Sequence, residues 1–180
     1  RALLKATLLG AGAVGFGVHG LDAAQAASGA DAEVSSWIVI RTDGRVVIRI
    51  PQSELGQGVT TSLAQLLAEE LDLAWGEFDT EYFDAQINRQ RHNVYVHTAT
   101  LNSWSSDLLF EPMRLAGAQV KAMLLTAAAA QLKVTASTLR IAGARIEHAA
   151  SGRSLGFEQV AQQRILDLQE VNLGDGIPRC

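Results

Sequence analysis

The stretch over residues 106–132, "SDLLFEPMRLAGAQVKAMLLTAAAAQL", constrains the fold of this 180-residue chain more than any other. It is helix-forming almost throughout, and its alanine-rich end suits close packing against a sheet. Pro112 lies near its first turns, so the spacing predicts a late start or a kink there. The strands that such a helix needs are found on either side of it. "WIVIRT" and "RVVIRI" flank Asp43-Gly44, the signal of a two-residue hairpin. A helix follows over 61–73, with Leu63, Leu66, Leu67 and Leu71 on one stripe and Glu69, Glu70 and Asp72 turned outward. "EFDTEYFDA", 77–85, alternates as a strand does. Residues 86–102, with "NRQRHN" at their centre, are polar and irregular and read as a long loop, a kind that is usually functional or disordered. "TLRIAGARIEH", 138–148, reads as a second hairpin and 156–163 as a short helix. Strands and helices mix without strict βαβ alternation and without an internal repeat. The expected class is therefore α+β, with hairpins and a mixed sheet packed against two main helices over 31–163.

Composition removes several functions. Hydrophobic residues at 48% and charged residues at 19% describe a globular chain. A formal net charge of −4 excludes nucleic acid as a partner, because phosphate binding needs a basic face. Cys180 is the one cysteine, and an iron–sulfur cluster takes about four protein ligands. His19, His92, His97 and His148 have neither i,i+4 spacing nor cysteine companions, so they read as ordinary polar residues.

Residues 1–30 carry the marks of an export signal. Arg1 and Lys5 precede a Gly/Ala/Leu/Val-rich run over 6–18, and Ala24-Gln25-Ala26 gives the small-x-small pattern of a cleavage site. The run is too short and too glycine-rich to span a bilayer, which takes about 20 apolar residues. "RALLK" is similar to the second half of a twin-arginine motif. The expected destination is the periplasm. The tail over 164–180, "RILDLQEVNLGDGIPRC" from its first residue, loses the regularity of what precedes it.

Two stretches are candidates for chemistry. In "SELGQG", 53–58, Gly56 and Gly58 permit a left-handed backbone and the close approach of a ligand, and Gln57 offers a donor and an acceptor. The helix that follows offers free N–H groups and a positive dipole end for an anion, with Thr60, Thr61 or Ser62 as caps. "TLNSWSS", 100–106, places Thr100, Ser103, Ser105 and Ser106 just ahead of the long helix. Two polar turns that each open a helix are expected to lie together and line one pocket, with Gln57 facing it. The plain alternative is a tight turn and a hydroxyl-decorated helix start.

With its following helix, "SELGQG" resembles the E-M-G-Q-G segment of the molybdopterin-binding subunits of the xanthine dehydrogenase superfamily. "TLNSWSSDL" keeps that family's Thr-x-x-Ser-x-Ser spacing, and "FEPMRLAGAQVKAMLLTAAAA" looks like the helix that comes next. The similarity is to the branch of isoquinoline 1-oxidoreductase beta subunits and membrane-associated aldehyde and nicotinate dehydrogenases. It covers about 36–163. The resemblance implies that Gly56, Gln57 and Gly58 shape and contact the pterin end of a molybdopterin cytosine dinucleotide. It implies that Thr100, Ser103 and Ser105 hold the pyrophosphate or nucleotide end. The family's catalytic glutamate motif has no counterpart here, nor do its other cofactor loops, so the resemblance implies an incomplete molybdopterin-binding domain and an inactive isolated chain. The partners it implies are the rest of the large subunit, a separate 2Fe-2S subunit and a cytochrome electron acceptor, with membrane association through those partners. The competing reading is an exported α+β binding or assembly module without chemistry. A chain cut from a larger domain is also expected to expose an apolar face, at Leu124, Leu125 and 127–130.

Overall fold

The computed structural model describes residues 31–162. The export segment expected over 1–30 and the irregular tail expected over 164–180 lie outside the described residues. β1 (Ala32–Ser35), β2 (Ile38–Ile40) and β3 (Val46–Ile50) pair antiparallel in sequence order, and β4 (Phe78–Tyr82) joins β3 in parallel. A parallel neighbour requires a crossover, and α1 (Val59–Glu70) provides it. Val46, Ile48 and Ile50 share one face by the two-residue period of a strand. Opposite them Ile38 and Ile40 pair with Ile48 and Val46, and all five side chains are buried.

The hairpin at Asp43-Gly44 forms, with a longer loop than expected. Arg41 N donates to Arg45 O at 2.8 Å and Gly44 N to Arg41 O at 3.0 Å. A two-residue type I′ turn needs positive φ at both central residues, whereas here Gly44 takes it (φ 88°) and Asp43 does not. Asp43 instead accepts from Arg45 N at 3.0 Å.

The expected loop over 86–102 is helical in its first part. Asp84 caps α2 (Ala85–Gln90), accepting from Gln86 N at 2.7 Å and Ile87 N at 2.8 Å. α3 (Trp104–Leu132) is one 29-residue helix that begins before the expected position and runs through Pro112. The proline removes a single bond, the one to the Leu108 carbonyl. Leu109 before it and Met113, Ala116, Gly117, Val120 and Leu124 after it keep the helix buried along one face.

α1 crosses α3 closely. A Cβ built on Gly117 would lie 2.8 Å from both the Leu67 carbonyl oxygen and the Glu70 Cβ, so a side chain at that position would push the helices apart. Arg114 on α3 pairs with Glu70 at the same crossing. Beyond α3, β5 (Leu139–Ile141), β6 (Arg145–His148) and β7 (Arg153–Gly156) form an antiparallel meander followed by α4 (Phe157–Gln162). Of these elements, β5 and α4 pack against α3, and α4 also packs on β1 and β2. Most of the apolar face expected to be bare at 124–130 is covered: Leu124, Ala127, Ala128 and Ala129 are buried and Leu125 is half-buried, while Ala130 is exposed.

Candidate functional site

β3 and α1 are joined by residues 51–58, and the joint is built around Glu54. Its carboxylate accepts from Gly56 N and Gly58 N, both at 2.8 Å, and from Thr60 N at 3.1 Å. The Gly58 N–H, followed by that of Thr60, holds the Glu54 carboxyl below the usual carboxylate range. The start of α1 is thus already occupied by an anion from its own chain. The hydroxyl caps expected there are not used: Ser62 Oγ donates back to Val59 O at 3.2 Å. Gly56 (φ 96°) and Gly58 (φ 81°) take the left-handed backbone that the turn needs. No atom lies within 4 Å of a Cβ placed on either, so the turn's outer side is open.

Gln57 is exposed, yet its amide folds onto its own loop. Oε1 accepts from Leu55 N at 2.6 Å and Nε2 donates to Ser53 O at 3.2 Å. The Ser53 carbonyl accepts a second bond, from Thr100 Oγ1 at 3.1 Å. The two motif turns, 47 residues apart in sequence at this contact, therefore meet at one carbonyl oxygen. Gln52 reinforces the junction from beneath. It is 1% exposed, and its Nε2 donates to His97 O at 3.3 Å and Ala99 O at 3.1 Å.

The segment between α2 and α3 has no regular structure, but buried side chains hold it. Asn88 accepts from Tyr95 N at 3.0 Å and donates to Tyr95 O at 3.3 Å, satisfying both backbone groups of that residue as a neighbouring strand would. The Tyr95 ring packs edge-on against Trp37, 4.6 Å between centroids, and its hydroxyl donates to Ser36 O. Burial pushes the Tyr95 phenol well above its ordinary range. Farther on, Asn102 (φ 52°) and Ser103 (φ 56°) take consecutive left-handed conformations and deliver the chain into α3. Ser103 is the N-cap residue but makes no side-chain cap bond; Ser105 lies in the first turn.

A cavity of about 490 Å³ opens beside this junction, lined by residues 96–99, Leu101, Trp104, Asp107 and Leu108. Its wall is largely apolar, and Gln57, Ser103 and Ser105 are not part of it. The structure thus brings the turns at 53–58 and 100 into direct contact, as expected, without the shared polar pocket and with Gln57 turned inward. The physical reason is that Glu54 and Gln57 satisfy the loop's own N–H groups before any ligand does. Gln52 and Asn88 were not singled out by sequence reasoning. For Gln52 a signal existed: it continues the period of Ile48 and Ile50, which places it on the core face.

On the opposite face of the first sheet, Arg49 pairs with Glu33 and Glu81, both at 2.8 Å, and Arg91 pairs with Glu33. Burial raises the Glu33 pKa, but Arg91 and Arg49 outweigh it and hold the carboxyl below its usual range. Arg45 holds Asp79 low in the same way, at 2.6 Å. No group of three or more His, Cys, Asp or Glu side chains among the described residues is placed to hold a metal.

Residues 6–175 match the family of molybdopterin cofactor-binding domains. Over 125 residues the chain is 31% identical to the beta subunit of isoquinoline 1-oxidoreductase from Brevundimonas diminuta, an alignment covering 69% of this chain and 16% of that protein. It is 27% identical over 128 residues to a membrane-bound aldehyde dehydrogenase (pyrroloquinoline-quinone) of Gluconacetobacter polyoxogenes, covering 71% and 16%. With a nicotinate dehydrogenase subunit of Pseudomonas putida it shares 31% identity over 130 residues, covering 72% and 10%. The chain therefore spans a small part of the length of the relatives it matches. Its fold is similar to part of quinoline 2-oxidoreductase from Pseudomonas putida 86, with a TM-score of 0.53 at 18% identity, over 69% of this chain and 15% of that one. The α+β architecture around the joined turns is that of a partial molybdopterin-binding domain, and the chain belongs to the molybdopterin cofactor-binding domain family of the xanthine dehydrogenase superfamily.

Proposed function

We propose that this chain is a portion of a periplasmic molybdenum-dependent oxidoreductase acting on aldehydes or N-heteroaromatic compounds. In this reading it forms one wall of the molybdopterin cytosine dinucleotide site. The observation that carries it is the junction at the Ser53 carbonyl, which places Gln57 and Thr100 side by side in a chain of this family.

The donor set fits part of such a cofactor. Gln57 retains one amide hydrogen and one carbonyl lone pair after its two loop bonds, enough to meet a heterocycle edge from the open side of the Gly56-Gln57-Gly58 turn. Ser103 and Ser105 present hydroxyls where α3 begins without a side-chain cap, a place for the anionic end. The start of α1 does not fit an anion, because Glu54 fills it. The bound cofactor would supply the oxidation, with oxygen drawn from water. This chain's residues would bind and orient it. No carboxylate here is assigned as a base: Glu54 is a cap and Glu70 is paired with Arg114. The rest of the large subunit, a separate 2Fe-2S subunit and a cytochrome acceptor would complete the enzyme. Export would be directed by the segment over 1–30.

The experiment is a chimera in which this chain replaces the matching segment of the Brevundimonas diminuta protein, coexpressed with that enzyme's partner subunits. Molybdenum and cytosine nucleotide are then counted per polypeptide. Both should be retained in near-stoichiometric amounts. The closed hydrogen bonding of the 53–58 turn favours a second reading, an exported binding or assembly module without chemistry. A folded chimera that carries neither component would support it instead.

A further inference from the structure

We propose that Gln52 and Thr100 are positioning residues that fasten the 97–100 segment to the Gly56-Gln57-Gly58 turn, so that the two motif turns act as one rigid unit. The inference rests on the cofactor reading above for its consequence, but its geometry stands on this chain alone.

Gln52 follows β3 on the core side and is 1% exposed. Its one amide nitrogen serves two carbonyls of the distant segment, His97 O at 3.3 Å and Ala99 O at 3.1 Å. Both amide hydrogens are spent on that task, which leaves none for a ligand. Thr100 closes the next link, donating to Ser53 O at 3.1 Å, the same oxygen that Gln57 Nε2 reaches at 3.2 Å. A threonine hydroxyl has a single hydrogen, and phosphate oxygens only accept. While Thr100 holds Ser53 it cannot donate to a pyrophosphate. Its contribution to the cofactor runs through the Ser53 carbonyl and so through Gln57. The residues at both ends of this strap are held independently: Glu54 ties the turn to α1, and Asn88 ties Tyr95 to α2. What Gln52 and Thr100 add is the tie between those two anchored parts.

The test uses the 180-residue chain without cofactor, with amide hydrogen exchange and 15N relaxation measured by NMR. Thr100→Val keeps the shape and removes the donor. It should speed exchange at the Leu55, Gly56 and Gly58 amides, in the other turn, by about fivefold, the worth of one net hydrogen bond. Thr100→Ser should restore the wild-type rates. Gln52→Met should lower the order parameters of residues 97–101 from a rigid value of about 0.85 toward about 0.6. In the chimera described above, Gln57→Ala and Thr100→Val should each reduce molybdenum content, and the double variant should lose less than the product of the two. Unchanged exchange in Thr100→Val, failure of Thr100→Ser to rescue, or multiplicative losses in the double variant would overturn the proposal. A chimera without molybdenum whose parent chain still shows the exchange coupling would refute the cofactor reading and leave the strap standing.

Discussion

Gly117→Ala sets two known effects against each other at the crossing of α1 and α3. Replacing a buried helical glycine with alanine gains about 1 kcal/mol of helix propensity. Against it stands the new Cβ, which would meet the Leu67 carbonyl oxygen and the Glu70 Cβ at 2.8 Å. Neither atom is the far end of a flexible side chain, and Glu70 is further tied by Arg114. Relief to an ordinary 3.4 Å contact requires the helices to separate by about 0.6 Å. Forced overpacking of this kind costs about 1–3 kcal/mol, and rigid backbone partners place it near the upper end. The expected result is a net loss of about 1–2 kcal/mol, equivalent to a fall in Tm of about 3–8 °C. Urea unfolding followed by circular dichroism measures it directly. Because α1 and α3 each start at one of the motif turns, the same separation should also weaken the Ser53–Thr100 contact. A variant as stable as the parent, or more stable, would show that propensity wins and that the helices do not cross this closely.

Asp84→Ala should cost about 1 kcal/mol by uncapping α2, read from the same unfolding curves. Tyr95→Phe leaves the Ser36 carbonyl without that donor in a buried setting and should cost about 1–3 kcal/mol while near-ultraviolet dichroism still shows Trp37 packed. Glu33 titrates below its ordinary range in the folded chain, so its contribution is present above the unfolded carboxylate pKa of about 4.3 and is lost as pH falls through the lower folded value. Stability measured from pH 7 downward should therefore drop in acid, and Arg49→Met should flatten that drop; an unaltered pH slope would mean that the Arg49 contact does not set the Glu33 pKa.

Much of this was legible because apolar side chains repeat with the period of the element that carries them. The alternation in "VVIRI" and the leucine stripe of α1 state which faces are buried, and the sheet and helices follow. α2 was missed because "AQINRQ" has no apolar stripe; its one signal is Asp84 ahead of it. The length of α3 exceeded the expectation because burial on both sides of Pro112 outweighs one lost hydrogen bond. Periodicity names an apolar face but not what covers it, and so Leu124, Leu125 and 127–130 were expected bare although Leu124 and 127–129 are buried. At the site, the meeting of the two turns was readable because each opens a helix. The direction of Gln57 was not, because it depends on whether the loop's N–H groups are satisfied from within. Glu54 and Ser53 decide that in three dimensions.

If the Gly56-Gln57-Gly58 turn holds part of a molybdopterin cofactor, the molybdenum content of the Gln57→Ala chimera will depend on that turn. The variant removes the amide that can meet the cofactor and leaves the Glu54 cap in place. With hydrogen bonds of about 1–3 kcal/mol at stake, metal per polypeptide should fall by about five- to a hundredfold when cofactor is limiting. An exposed control, Arg140→Ala, should keep its full complement. Equal molybdenum in parent, Gln57→Ala and control would mean that this turn does not hold the cofactor.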